Sequence, residues 1–187
     1  MRSRWSPVVF DPAHVIAAEE VRLLLDAARW APSWGNSQPW HFLVCERGTS
    51  LHTALVSTLS RGNTGWVPNA SVVFVGAVRT AASDGAEPSP YGSYDAGQAA
   101  AHLTLQARSM GLHAHQFAGF DHEAMAERAG VPDGFTLLAG IAVGRHGQPD
   151  VVDEATAAKE QRTRVRREVE EFAFTGAWGR SWTGEQA

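Results

Sequence analysis

The chain has 187 residues, of which 44% are hydrophobic and 19% charged, a balance that fits a folded domain and excludes a disordered one. A formal net charge of -4, with 8 histidines counted neutral, gives a nucleic-acid partner no global electrostatic support. Seven tryptophans suit a binding groove or a subunit interface as well as a core, because the indole is bulky and amphipathic.

The first residues, MRSRWSPVVFDP, hold no apolar segment of signal-peptide length, and no run of about 18 apolar residues occurs, so the expected location is cytoplasmic. After Asp11-Pro12, the residues Val21, Leu24, Leu25 and Ala28 recur at helical spacing and predict a helix over 17–31, stopped by Pro32. A tight corner, SWGNSQ, follows at 33–38, and Pro39-Trp40 opens a strand over 40–46. The lone Cys45 has no intrachain disulfide partner, and its apolar neighbours predict a buried thiol in that strand. A second helix is expected over 50–60, and the β-branched run at 71–78 reads as a strand covered on both faces.

Residues 80–93, rich in Ser, Pro and Gly, read as a loop or short lid. The longest helix is expected over 94–112, central and well buried because its alanine-rich surface is polar on no side; Asp95 and Gly97 serve its start. LHAHQFAGF is a short strand passing into a loop, and the next helix is capped by Asp121 and ended by Gly130. A buried strand spans 135–144. The tail is polar until the apolar island EEFAFTGAWG, which a single chain has trouble burying and which therefore suits a partner subunit; Trp178 and Trp182 are expected to pack there. Helices alternating with apolar strands predict an α/β or α+β sheet protein with helices on its faces. The expected organisation is one domain over 1–187, with 148–187 as an arm.

Several chemistries have no motif in the chain: no Gly-x-Gly-x-x-Gly, no phosphate loop, no Cys-x-x-Cys, no His-Glu-x-x-His and no Gly-x-Ser-x-Gly. His113 and His115 share a strand face, but no Cys or carboxylate stands nearby at ligand spacing, so no metal is expected. What remains is a set of polar and basic residues flanking apolar elements: Arg4 and Ser6, the corner Ser33, Asn36 and Gln38, HQFAG at 115–119, and RTRVRR at 162–167. Each has a plainer explanation. A terminal Arg and Ser are ordinarily solvated, turn-formers can simply stop a helix, and arginines followed by Glu168, Glu170 and Glu171 form a mixed-charge face. Together, arginine forks and hydroxyls suit a phosphate, and amides suit a planar heterocycle, as in flavin mononucleotide (FMN).

Four blocks in order carry a family resemblance: RWSPVVFDP at 4–12, LLDAARWAPSWGNSQPWHFLV at 24–44, YDAGQAAAHLTLQARSMGLHAHQFAGFD at 94–121, and RVRREVEEFAFTGAWG at 164–179. The chain resembles the FMN-dependent nitroreductase family over nearly its whole length. That resemblance implies an α+β fold in three α/β/α layers, with a central mixed or antiparallel sheet. It also implies an intertwined homodimer with exchanged C-terminal tails. The implied activity is hydride uptake from NADH or NADPH and reduction of a nitroaromatic, quinone or similar electron-poor acceptor. Alternatives on the same resemblance are an FMN-binding or redox-sensing dimer with little turnover, and another flavin reaction such as dehydrogenation.

By resemblance, Arg4, Trp5 and Ser6 meet the flavin phosphate side, joined by Arg164 and Arg166; where the family has a further cation, this chain has Val8. Pro32, Ser33, Trp34 and Asn36 contact the flavin from the other subunit, with Gln38, Pro39 and Trp40 anchoring the turn. Asn63 stands near a family ring contact, and Gln116, Phe117, Ala118 and Gly119 form the loop that approaches the ring. No catalytic acid or base is implied, since the chemistry resides on the cofactor.

Overall fold

The computed structural model describes residues 1–82 and 87–184. In chain order the main elements are α1 (Ala18–Arg29), β1 (Trp40–Glu46), α2 (Ser50–Val56), β2 (Val72–Arg79), α3 (Gly92–Ser109), β3 (His113–Phe117), α4 (His122–Ala129), β4 (Phe135–Gly144) and a short α5 (Glu154–Ala157). The strands form one antiparallel sheet in the order β1-β2-β4-β3. The apolar run of β2 lies inside the sheet and is almost wholly buried, because helices cover both of its faces.

Period-two alternation along the strands feeds two cores. On one face Val72, Phe74, Ala114, Ile141 and Val143 meet Val21, Leu24 and Ala28 of α1 and Ala99, Leu103 and Ala107 of α3. On the other face Cys45, Val73, Val75, Phe117 and Ala142 meet Leu55 of α2, Met125 of α4, Phe10 and Trp66. The result is the expected three-layer α+β arrangement, with the sheet wholly antiparallel. Cys45 is buried in β1 as expected, and burial pushes its thiol up to about 12.

Two helices differ from the sequence expectation. Helix α2 ends at Val56, short of residue 60, because Leu59 is drawn into a bridge with Phe120 and Ser60 N–H donates to the Gly119 carbonyl at 2.9 Å. Helix α3 begins at Gly92 and ends at Ser109, where Gly111 turns left-handed and Leu112 N–H donates back to Ala107 O. That helix buries one face alone; Tyr94, Gly97 and Ala101 are exposed, since within one chain the sheet and α1 pack on a single side. Of the expected loop at 80–93, residues 83–86 lie outside the described residues.

The caps of α4 follow expectation: Asp121 accepts the Ala124 N–H at 3.0 Å, and Gly130 ends the helix at φ 64°. Beyond β4 the chain returns to the N-terminal segment through the bridge between Phe10 and His146, then runs on as an arm. Its apolar island folds on itself, with Phe174 against Trp178 at 4.9 Å, and leaves Trp178 91% exposed. Among the described residues no helix is long and apolar enough to cross a membrane.

Candidate functional site

The two ends of the sequence build one cleft. A cavity of about 550 Å³ is lined by Arg4, Trp5 and Ser6 from the N-terminal segment and by Lys159, Glu160, Arg162, Thr163, Arg164 and Arg166 from the arm. Arg4 Nη1 donates to Ser6 Oγ at 3.1 Å, and the Arg164 guanidinium donates to the backbone carbonyls of Arg4 and Arg2, the latter at 3.0 Å. Five cations against one carboxylate give the cleft a positive field, and arginine forks present paired donors of the kind that suit a phosphate.

The carboxylate is committed elsewhere. Glu160 Oε1 accepts the N–H groups of Val8 at 2.6 Å and Val9 at 2.7 Å, and Oε2 accepts from His146 Nε2 at 2.8 Å. Val8 itself, standing where a cation is expected by resemblance, is buried in the core and turned away from the cleft's charge. Lys159 and Arg162 supply positive charge that the family pattern did not point to. Arg162 belongs to the visible RTRVRR run, whereas no sequence signal marked Lys159 or Glu160.

Beneath the cleft, Trp5 packs on the rings of His113 at 5.7 Å and His146 at 5.2 Å. His115 donates from Nδ1 to the Pro7 carbonyl at 2.7 Å and stacks on Trp66 at 4.4 Å, so it ties the N-terminal segment to the sheet. Burial is the largest cause holding both His113 and His115 below the ordinary value of 6.5; the cation of Arg108 adds to it at His113, and the bond to Pro7 opposes it at His115. Among the described residues no group of three His, Cys, Asp or Glu could hold a metal ion.

A second cluster joins Asn63 to the 117–119 loop. Asn63 Nδ2 donates to Gly119 O at 2.9 Å, while its Oδ1 accepts from Trp66 Nε1 at 3.2 Å. A Cβ at position 119 would lie 2.5 Å from both Asn63 Nδ2 and Ser60 Oγ, so a larger residue would displace those side chains from this approach. Phe117 points its ring into the core, against Trp66 and Phe120, and offers a ligand its backbone alone. Gln116 turns to the opposite face, where its Nε2 donates to Thr104 Oγ1 of α3 at 2.9 Å.

The corner forms a third group, set apart. Gly35, Asn36 and Gln38 all adopt positive φ (56°, 58° and 44°), an uncommon choice for the two non-glycine residues. The turn is closed from inside: Ser33 Oγ accepts the Gln38 N–H at 3.0 Å, and Gln38 Nε2 donates to Asn36 Oδ1 at 3.1 Å. It is fixed from outside by buried Asp95 of α3, whose Oδ2 accepts the Trp34 N–H at 3.0 Å. Pro32 and Asn36 are exposed, and Trp34, 58% exposed, leans on Tyr91 at 5.9 Å. Ser3, in contrast, meets Arg108 at the far end of α3, and from Asp95 to Arg108 the helix rises roughly 20 Å at about 1.5 Å per residue. The corner and the N-terminal segment thus attach near opposite ends of α3.

The sequence model of the Nitroreductase family matches residues 1–61 and 50–145. An uncharacterized 15.4 kDa protein in the ask 5' region of Mycolicibacterium smegmatis is 40% identical over 129 residues, covering 68% of this chain and 84% of that protein. The oxygen-insensitive NAD(P)H nitroreductase of Salmonella typhimurium is 27% identical, covering 79% of this chain and 87% of its own length. A crystal structure of an oxidoreductase containing FMN superposes with a TM-score of 0.87 at 34% identity, over 95% of this chain and 90% of that one. The chain therefore belongs to the nitroreductase family.

Proposed function

We propose that two copies of this chain form an FMN-dependent oxidoreductase that draws on NADH or NADPH and reduces nitroaromatic, quinone or similar electron-poor acceptors. The observation that carries this reading is the convergence of Arg4 and Ser6 with Lys159, Arg162, Arg164 and Arg166 around one cleft. FMN phosphate carries nearly two negative charges at neutral pH, and the donor set fits it despite Val8. Bound FMN would supply hydride-level electron transfer between nicotinamide and acceptor. The chain's own residues bind and orient. The arginines hold the phosphate end, and Asn63 fixes the Gly119 peptide beside which the ring would lie.

The homodimer completes the site in this reading. The corner at Pro32, Ser33, Trp34 and Asn36 sits too far along α3 to share the cleft of its own chain, so it would meet the cofactor of the partner. The exposed small residues Gly97 and Ala101 of α3, with the exposed apolar island of the 148–187 arm, supply surface for that contact. The 27% identical NAD(P)H nitroreductase and the 34% identical oxidoreductase containing FMN support the same assignment.

A visible absorption spectrum, taken before and after addition of FMN and desalting, tests the proposal first. About one FMN retained per chain is expected, since the site draws one corner and one cleft from each copy. Protein that retains no flavin refutes the reading. Retained flavin with nicotinamide oxidation no faster than free FMN, across nitro, quinone and enone acceptors, would make the protein a flavin-binding dimer and not a reductase.

A further inference from the structure

Glu160 places a negative charge in the wall of a cleft whose other charged residues are all cations. If its role were electrostatic it would oppose an anion there. Its hydrogen bonds point elsewhere. The side chain is 14% exposed, with one oxygen shared by the Val8 and Val9 N–H groups and the other bonded to His146. Val8 and Val9 follow Arg4, Trp5 and Ser6 across the single residue Pro7, while Glu160 follows Lys159 and precedes Arg162, Arg164 and Arg166. A single side chain therefore joins the two segments that supply the cleft's donors. A second side-chain tie, from Arg164 to the carbonyls of Arg2 and Arg4, lies at the exposed surface and competes with water.

We infer that Glu160 is a positioning residue: it sets the spacing between Arg4–Ser6 and the cations of the arm, so that preference for a phosphate monoester depends on its reach and not on its charge. The ligand rests on the function proposed above; the joint between the two segments does not.

Reach and charge are separated by Glu160→Asp, which keeps the charge and shortens the side chain, and Glu160→Gln, which keeps the length and loses the charge. Affinities for FMN and for riboflavin, the same ring system without phosphate, are measured by flavin fluorescence. Glu160→Asp is expected to bind FMN about tenfold more weakly with riboflavin changed by less than about twofold, whereas Glu160→Gln keeps FMN within about twofold or binds it more tightly. Wild-type FMN affinity in Glu160→Asp, an equal loss of both flavins, or a Glu160→Gln as weak as Glu160→Asp would overturn the inference. Trypsin cleavage within residues 159–167, without any flavin, supplies a second readout: faster cleavage in Glu160→Asp than in Glu160→Gln is expected, and equal rates would overturn it. A wild-type protein that fails to take FMN would defeat the proposed function, and the cleavage rates would still decide the role of Glu160.

Discussion

Replacing Gly140 by alanine places a Cβ 2.4 Å from Phe117 Cζ and 2.7 Å from its Cε1. Ordinary carbon contacts lie at about 3.5 to 4.0 Å, so the ring would have to retreat by more than about 1 Å. It has little room, being 7% exposed and held by Trp66 at 5.5 Å and Phe120 at 6.1 Å. Overpacking of this kind costs about 2 kcal/mol, which for a chain of this length lowers Tm by roughly 4 to 8 °C. Phe117→Leu alone should cost about 1 to 2 kcal/mol through lost apolar burial. The double variant supplies the test, because the added methyl group occupies space the smaller side chain vacates. Its cost should fall below the sum of the single costs by at least about 1 kcal/mol. Thermal and urea unfolding followed by circular dichroism, at fixed protein concentration, measure all four proteins. Strict additivity would refute the reasoning, since it would mean that the Phe117 ring escapes freely from a methyl group at Gly140.

Arg166→Ala removes a cation from the cleft and should weaken FMN binding about tenfold or more while leaving Tm nearly unchanged, by flavin titration and thermal unfolding; a loss of Tm without loss of affinity would contradict its role. Asp95→Ala deprives the Trp34 N–H of its acceptor and should cost about 1 to 3 kcal/mol, with Asp95→Asn recovering most of that through its remaining carbonyl oxygen. Identical unfolding curves for the two Asp95 variants would argue against that bond. Acidification should also destabilise the fold through its histidines. His14, His52, His113 and His115 are all held below 6.5 chiefly by burial, so the unfolded chain takes up more protons than the folded one. Their contribution is complete above pH 6.5 and is lost as pH falls through 6.5 toward the lower folded values. Tm measured from pH 7.5 to 5.5 should therefore decline, and a rise would contradict the sign.

What the sequence made legible follows the range of the forces involved. Strands β1 and β4 run over the residues expected of them, because a β-branched or apolar run bounded by turn residues is a local signal. The Asp121 and Gly130 caps were local as well. The end of α2 was not, since the pull on Leu59 comes from Phe120, far along the chain. The order β1-β2-β4-β3 depends on long-range pairing and left no mark on any one strand. At the site, Arg4, Ser6, Arg164 and Arg166 were legible through the resemblance. Lys159 and Glu160 were not, because a lysine and a glutamate in a polar tail look solvated until the fold brings them to the N-terminal segment. Val8, which stands where the resemblance expects a cation, has its side chain in the core, and the cations of the cleft come from Arg4 and the arm.

The cleft joins residues 4–6 to residues 159–166, with the sheet made in between. It cannot exist on a nascent chain until residue 166 has emerged, so any ligand it takes is captured after synthesis of the sheet and not during it. Met1 and Arg2 line an adjoining cavity of about 540 Å³ together with Arg4, Arg164 and Arg166. A segment fused ahead of Met1 would therefore lie beside the arginines that line the cleft.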